Sequence, residues 1–351
     1  MKNKLILYCL FIELCFSLLE AGHSNRITDI SVSNDREYYV TSSKEGKIII
    51  WDNNHEMKSL FTHDSSKSIM HISLSYNNKL LAIGNKGGSI DIINIESNES
   101  HSLHTGSKGK TILLEYISYD NLISCNEGDQ IKIWNITSSS KENEKFQYSI
   151  FQEFSKPSSR IMDISMNSNN KNILASLKSG SLIRWDIGTE YHDKVDKTTL
   201  LTLTNERIKN ADKTTLLTLT NERKKNIVPP NRNFWGEPYQ YYKYAISPDG
   251  SRIAIAVKDN NIIVWNSNFQ DFNALTIHGH EYRINDIVFS NNGKYLATSS
   301  IDKTLKLWDL NTGEILKSFE FTNDWVTKIA FLNNMIICGT YRGDIIIRDI
   351  F

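Results

Sequence analysis

A histidine, a serine and an aspartate fall close together in this chain: His280, Ser300 and Asp302, with Trp308 six residues further on. These are the groups of a nucleophilic triad, in which an imidazole takes the proton of a hydroxyl and a carboxylate orients the imidazole. The same residue types also occur in static, buried polar networks. A buried polar chain of that kind stiffens a fold when each member is satisfied. A triad is recognised by its geometry and an activated nucleophile rather than by residue types alone, and the static reading is preferred. Trp51 follows His23 by 28 residues, as Trp308 follows His280, and a glycine precedes each histidine (Gly22, Gly279). No GxSxG elbow, HExxH helix, Walker loop or dinucleotide glycine pattern is present in context. Cys9, Cys15, Cys125 and Cys338 show no CxxC or Cys/His ligand spacing. The chain therefore reads as a non-enzyme, with no catalytic residue, cofactor or metal.

What positions these groups is a repeat. The tryptophan place recurs at Trp51, Ile93, Trp134, Trp185, Trp265, Trp308 and Arg348, at spacings of 42, 41, 51, 80, 43 and 40. Apolar residues alternate just before it, as at Ile48 and Ile50 or Leu305 and Leu307. Alternation in short runs bounded by Asn, Asp, Gly and Ser is the signal of antiparallel strands. A single four-stranded unit cannot bury its apolar faces, so units must stack, and stacking them in a ring leaves few open edges. The expected architecture is all-β, a seven-bladed propeller of four-stranded antiparallel blades.

The Gly-His and Trp-Asp brackets (Gly22-His23 to Trp51-Asp52, Gly279-His280 to Trp308-Asp309) resemble those of the WD-repeat family over nearly the whole chain. The resemblance implies that His280, Ser300, Asp302 and Trp308 form the family's structural tetrad. The first unit keeps His23, Ser43 and Trp51 with Glu45 for the aspartate, and the third keeps Trp134. It also implies ring closure by the chain ends. The last unit stops after its third strand, and Leu14–Glu20 is assigned as its outer strand, so that the propeller spans 14–351.

Residues 1–13 form an apolar N-terminal extension. Lys2 and Lys4 followed by LILYCLFIELCFSLL give residues 1–21 a second reading, as a secretory signal or membrane anchor. An insertion occupies about 187–240. Within it DKTTLLTLTNER stands twice without change, at 196–207 and 212–223, and one copy is expected to supply the outer strand of the fourth blade. Aromatic residues around Phe234 and Trp235 make the insertion a second surface for a protein partner.

Lys+Arg and Asp+Glu are 40 each, which removes any global pull toward nucleic acid or an anionic membrane. Charge matters locally instead. The resemblance implies that one rim of the central channel carries two kinds of position. One precedes the turn between the second and third strands: Lys44, Lys86, Glu127, Lys178, Lys258, Ile301 and Tyr341. The other begins the innermost strand and includes Arg26, Arg160, Tyr242, Arg283 and Trp325. The expected partner-binding set is Arg26, Lys44, Lys86, Arg160, Lys178, Tyr242, Lys258, Arg283, Trp325 and Tyr341. A concave basic rim focuses its field on an anionic partner. The chain thus reads as a cytoplasmic interaction scaffold that binds an acidic or phosphorylated segment of another protein. The alternative is an exported or membrane-anchored propeller, either an extracellular binding module or an enzyme using carboxylates at the channel mouth.

Overall fold

The computed structural model describes residues 22–62, 68–137, 147–154, 157, 160–166, 172–177, 182–186, 198–201, 243–257, 260–266, 275–322 and 324–350. They form seven antiparallel sheets, six of four strands and one of three. The innermost strands are Ile27–Val32, Ile69–Leu74, Thr111–Tyr116, Ile161–Met166, Lys243–Ile246, Ile284–Phe289 and Val326–Leu332 in blades 1 to 7. Each packs beside the next, and the last returns to the first. Thr327 of blade 7 donates its hydroxyl to the Ile27 carbonyl of blade 1 at 2.9 Å.

Serine-capped turns lead from the first strand to the second. Ser33 donates to Asp35 at 2.6 Å, and its oxygen accepts the Tyr38 amide at 3.0 Å. Ser75 with Asn77, Ser247 with Asp249 and Ser290 with Asn292 repeat the arrangement. This local side-chain bonding is why the Ser-x-Asx pattern marks a turn. A bulge follows the first residue of the innermost strand in blades 1, 2, 3, 4, 6 and 7. A bulge re-aims a side chain, and here it sets one residue per blade toward the channel.

The core lies between blades. Ala245, Val264, Ile284, Leu296 and Trp308 join blades 5 and 6, and Val40, Ile50, Ile72 and Leu81 join blades 1 and 2. Between blades 7 and 1, Tyr39 packs with Leu332 and Ile337. Burial of such side chains stabilises by roughly 1.5–3 kcal/mol each, and it is available only to a blade that has neighbours. Blade 7's turn runs so close to the strand leading into blade 1 that a Cβ on Gly343 would stand 2.7 Å from the His23 carbonyl oxygen. The outer strand expected for blade 7, Leu14–Glu20, lies outside the described residues, as does most of the insertion. In blade 4 the outer strand is Thr198–Leu201, from the first of the two identical copies, paired with Leu182–Asp186 through Thr198 opposite Trp185.

Candidate functional site

His280 reaches Asp302 Oδ2 with Nδ1 at 2.8 Å and Thr298 Oγ1 with Nε2 at 2.7 Å. Trp308 closes the chain, its Nε1 donating to the same Thr298 oxygen at 2.8 Å. The linking hydroxyl is therefore Thr298, which corrects the expectation of Ser300. Both residues lie on one face of strand Tyr295–Ser300, two positions apart. Thr298 is the one beneath the indole, while Ser300 sits at the strand end and donates to the Tyr282 carbonyl at 2.8 Å. Blade 1 repeats the correction. His23 Nε2 and Trp51 Nε1 meet Thr41 at 2.7 and 2.8 Å, not Ser43. In blade 3 the Trp134 indole donates to Ser124 at 2.7 Å, again ten residues upstream.

In blade 6 the glycine before the histidine lets the indole approach, since a Cβ on Gly279 would lie 2.3 Å from the Trp308 ring, whereas Gly22 of blade 1 has open space around it. Burial opposes ionisation of Asp302, but hydrogen bonds from His280 and Thr304 hold its carboxyl below the usual range. In blade 1 the longer Glu45 accepts the Ser24 amide at 2.8 Å and stays 3.9 Å from His23 Nδ1. That nitrogen finds no hydrogen-bond partner, and burial pushes His23 down to about 4. Thr298 and Ser300 are fully buried, so neither hydroxyl faces a substrate.

The rim is organised by one repeated backbone bond. The amide before the second turn donates to the carbonyl at the start of the innermost strand: Lys44 to Arg26, Lys86 to Ser68, Glu127 to Lys110, Ile301 to Arg283 and Tyr341 to Trp325, at 2.8 to 3.1 Å. The two kinds of rim position are thus neighbours in each of these blades. Lys110 is an addition, since KTILLEYIS fits two registers and the sequence alone does not choose between them. Arg26, Lys44 and Lys86 are exposed, and among the described residues none of them pairs with a carboxylate. Arg160 differs, its guanidinium lying 3.3 Å from Glu127. Lys178, Tyr242 and Lys258 lie outside the described residues.

Between blades 6, 7 and 1 the rim opens into a cavity of about 320 Å³ lined by Arg26, Lys243, Arg283, Ile284, Asn285, Ile301, Trp325, Thr327 and Tyr341. The Trp325 and Tyr341 rings stand 4.6 Å apart between centroids.

Below the rim the channel holds a ring that single-sequence reading missed. Opposite the equivalent position of each second strand stand Asp29, His71, Leu113, Asp163, Lys243, Asp286 and Lys328. Lys328 lies 3.3 Å from Asp29, His71 lies 3.2 Å from the same carboxylate, and Lys243 lies 3.5 Å from Asp163. Asp29 also accepts the Ile72 amide of blade 2 at 3.0 Å, and Asp286 accepts the Ile329 amide of blade 7 at 2.9 Å. Each acid so bridges to the next blade. Burial works against the Lys328 ammonium, yet Asp29 and Asp286 hold it protonated above the usual lysine range. Glu115, two residues beyond Leu113, is pushed up to about 8 by burial and by Asp29. Burial likewise pushes the thiols of Cys125 and Cys338 up to about 12, too high for a nucleophile at neutral pH. Among the described residues no cluster of acids, histidines and cysteines has the arrangement of a metal site, and no helix is long and apolar enough to cross a membrane.

Seven stacked antiparallel sheets, with Thr-linked His and Trp side chains in blades 1 and 6, are the architecture of a WD-repeat propeller. The family model described as WD domain, G-beta repeat, matches residues 14–52 and 273–309, the first match starting where the closing strand is expected. The guanine nucleotide-binding protein subunit beta of Zea mays is 23% identical over 316 residues, 82% of this chain and 81% of the relative. Cross-pathway control WD-repeat protein 2 of Flammulina velutipes is 37% identical over 71 residues, 19% of this chain and 22% of the relative. The small ribosomal subunit protein RACK1 of Neurospora crassa is 37% identical over 60 residues, 16% of this chain and 19% of the relative. The last two matches span about a fifth of those relatives' length. The chain carries WD repeats at 14–52 and 273–309.

Proposed function

We propose that this protein is a non-enzymatic, cytoplasmic interaction scaffold whose basic rim takes an acidic or phosphorylated segment of a partner protein. The observation that carries the reading is the repeated backbone bond. It sets Arg26 beside Lys44 and Lys110 beside Glu127, with Lys86 between these pairs, as successive blades of one rim. Exposed cations on a shared concave edge add their fields, and such fields steer an anionic partner and speed its encounter. The relatives support the coarser part of the reading, because WD-repeat proteins with names as different as RACK1 and a G-protein β subunit share this scaffold.

The test is charge reversal on the intact chain. Lys44→Glu with Lys86→Glu should leave the thermal melt within about 0.5 kcal/mol of wild type, because surface changes away from packed features cost little. The same pair should weaken capture of an acidic peptide and flatten its salt dependence. Unchanged affinity and salt slope would remove the rim as the site and direct attention to the 187–240 insertion.

A further inference from the structure

The rim is not uniform around the ring. On the blade 3–4 side, Arg160 is neutralised by Glu127 at 3.3 Å, and Lys132 lies 3.8 Å from both Asp129 and Glu153. On the side of blades 6, 7 and 1, the cavity of about 320 Å³ has Arg26 and Arg283 and no Asp or Glu in its lining, which also includes Lys243, itself paired with Asp163 at 3.5 Å. Its apolar wall is Ile301, Trp325 and Tyr341, with Ile301 36% and Tyr341 47% exposed. A soluble domain that leaves an aromatic pair open beside arginines holds a surface of the composition that dominates binding hot spots. The pair is also preset. Tyr341 N donates to the Trp325 carbonyl at 3.1 Å, while the buried Asp324 carboxylate accepts the amides of Trp325 and Arg342 at 2.8 and 2.7 Å. A wall already fixed loses little entropy when a ligand arrives.

Size and chemistry then define the occupant. The volume lies at the low end of ligand sites, about 300–1,000 Å³, enough for one bulky side chain and too small for a folded element. Flat rings pack against Trp325 and Tyr341 in offset or edge-on geometry, and guanidinium groups favour aromatic faces. An anion next to that ring meets Arg26 and Arg283. From there the basic residues continue over Lys44 and Lys86 to Lys110, and end where Glu127 holds Arg160.

We propose that this cavity is an anchor subsite for an aromatic side chain standing next to an acidic group, the remainder of the acidic segment running over blades 1, 2 and 3. The inference rests on the basic-rim reading and gives it a direction: the aromatic residue belongs at one end of the acidic run. Fluorescent peptides titrated against the full chain test it. One is Glu-only, two carry a single Phe at either end, and a fourth has phosphoserine in place of the Glu next to Phe.

One Phe-tipped order should bind about tenfold tighter than the Glu-only peptide, a typical hot-spot contribution. Trp325→Ala and, separately, Tyr341→Ala should erase that difference. Lys86→Glu should weaken all four alike. The phosphoserine arm shows whether carboxylate or phosphate is the better neighbour. Equal binding of tipped and Glu-only peptides would overturn the anchor and leave the basic rim standing. Failure of every acidic peptide to bind would overturn both. Thermal melts separate a lost anchor from a lost fold, and because Tyr341 is exposed, its variant serves if Trp325→Ala is unstable.

Discussion

Lys328 of the last blade holds Asp29 of the first, Nζ to Oδ1 at 3.3 Å, inside the central channel. The same carboxylate also binds the blade 2 amide of Ile72. One side chain therefore couples three blades across the point where the ring begins and ends. Removing the cation alone leaves a charged acid without its main counter-ion in a desolvated place. Lys328→Met should cost on the order of 3 kcal/mol in urea unfolding, and adding Asp29→Asn should recover part of it, since breaking one half of a buried pair costs more than replacing both. A neutral single variant would show that water solvates Asp29 well enough without Lys328.

Thr298, not Ser300, carries the polar chain of blade 6. Thr298→Val preserves shape but leaves His280 Nε2 and the Trp308 indole without their shared partner, and should cost about 2–3 kcal/mol. Ser300→Ala loses the bond to the Tyr282 carbonyl and the one accepted from the Asp302 amide, both at the strand end, and should cost about 1 kcal/mol. The reverse order in chemical denaturation would return the linking role to Ser300.

His23 makes the fold sensitive to acid. Its folded pKa of about 4 lies below the ordinary 6.5, so the unfolded chain binds its proton first as pH falls. Stability from this group is complete above about 6.5 and is lost as pH drops toward 4, up to roughly 3 kcal/mol at the acid end. His23→Gln should be less stable at pH 7 but show a shallower decline between pH 6.5 and 4. Parallel pH profiles for the two proteins would exclude His23 as the source.

Deleting residues 196–211 joins Val195 to the second, identical DKTTLLTLTNER. The strand that pairs with Leu182–Asp186 is then replaced by the same letters in the same register. The melting temperature should stay within a degree or two of wild type, the scale of surface-loop changes. A large fall would assign the second copy a structural place of its own.

The blades were legible because the feature that builds them is periodic. The Ser-x-Asx turns and the alternating third strands each repeat at one spacing, and each has a local cause. The tetrad was legible to within two residues. Thr298 and Ser300 are hydroxyls on the same strand face, and only the position of the indole separates them. Lys110 was hidden by a strand that fits two registers. The channel ring was hidden more deeply. Asp29, His71, Asp163 and Lys328 stand far apart in the chain, belong to no motif, and acquire meaning only when the bulges point them at a common axis.

The hydrogen bond from Thr327 to the Ile27 carbonyl joins residues 300 positions apart. Almost every other inter-blade contact is between units that follow one another, so they form as the chain lengthens. This one waits for nearly the whole chain. Until blade 7 is made, the faces of blades 1 and 6 that will receive it stay open, with Tyr39 and Phe331's neighbours unburied. Contacts of such long sequence separation slow folding and prolong the exposure of apolar surface. The ring is thus assembled quickly in pieces and completed slowly. Once blades 7 and 1 meet, both faces are covered at once, and opening that seam is the step that would expose them again.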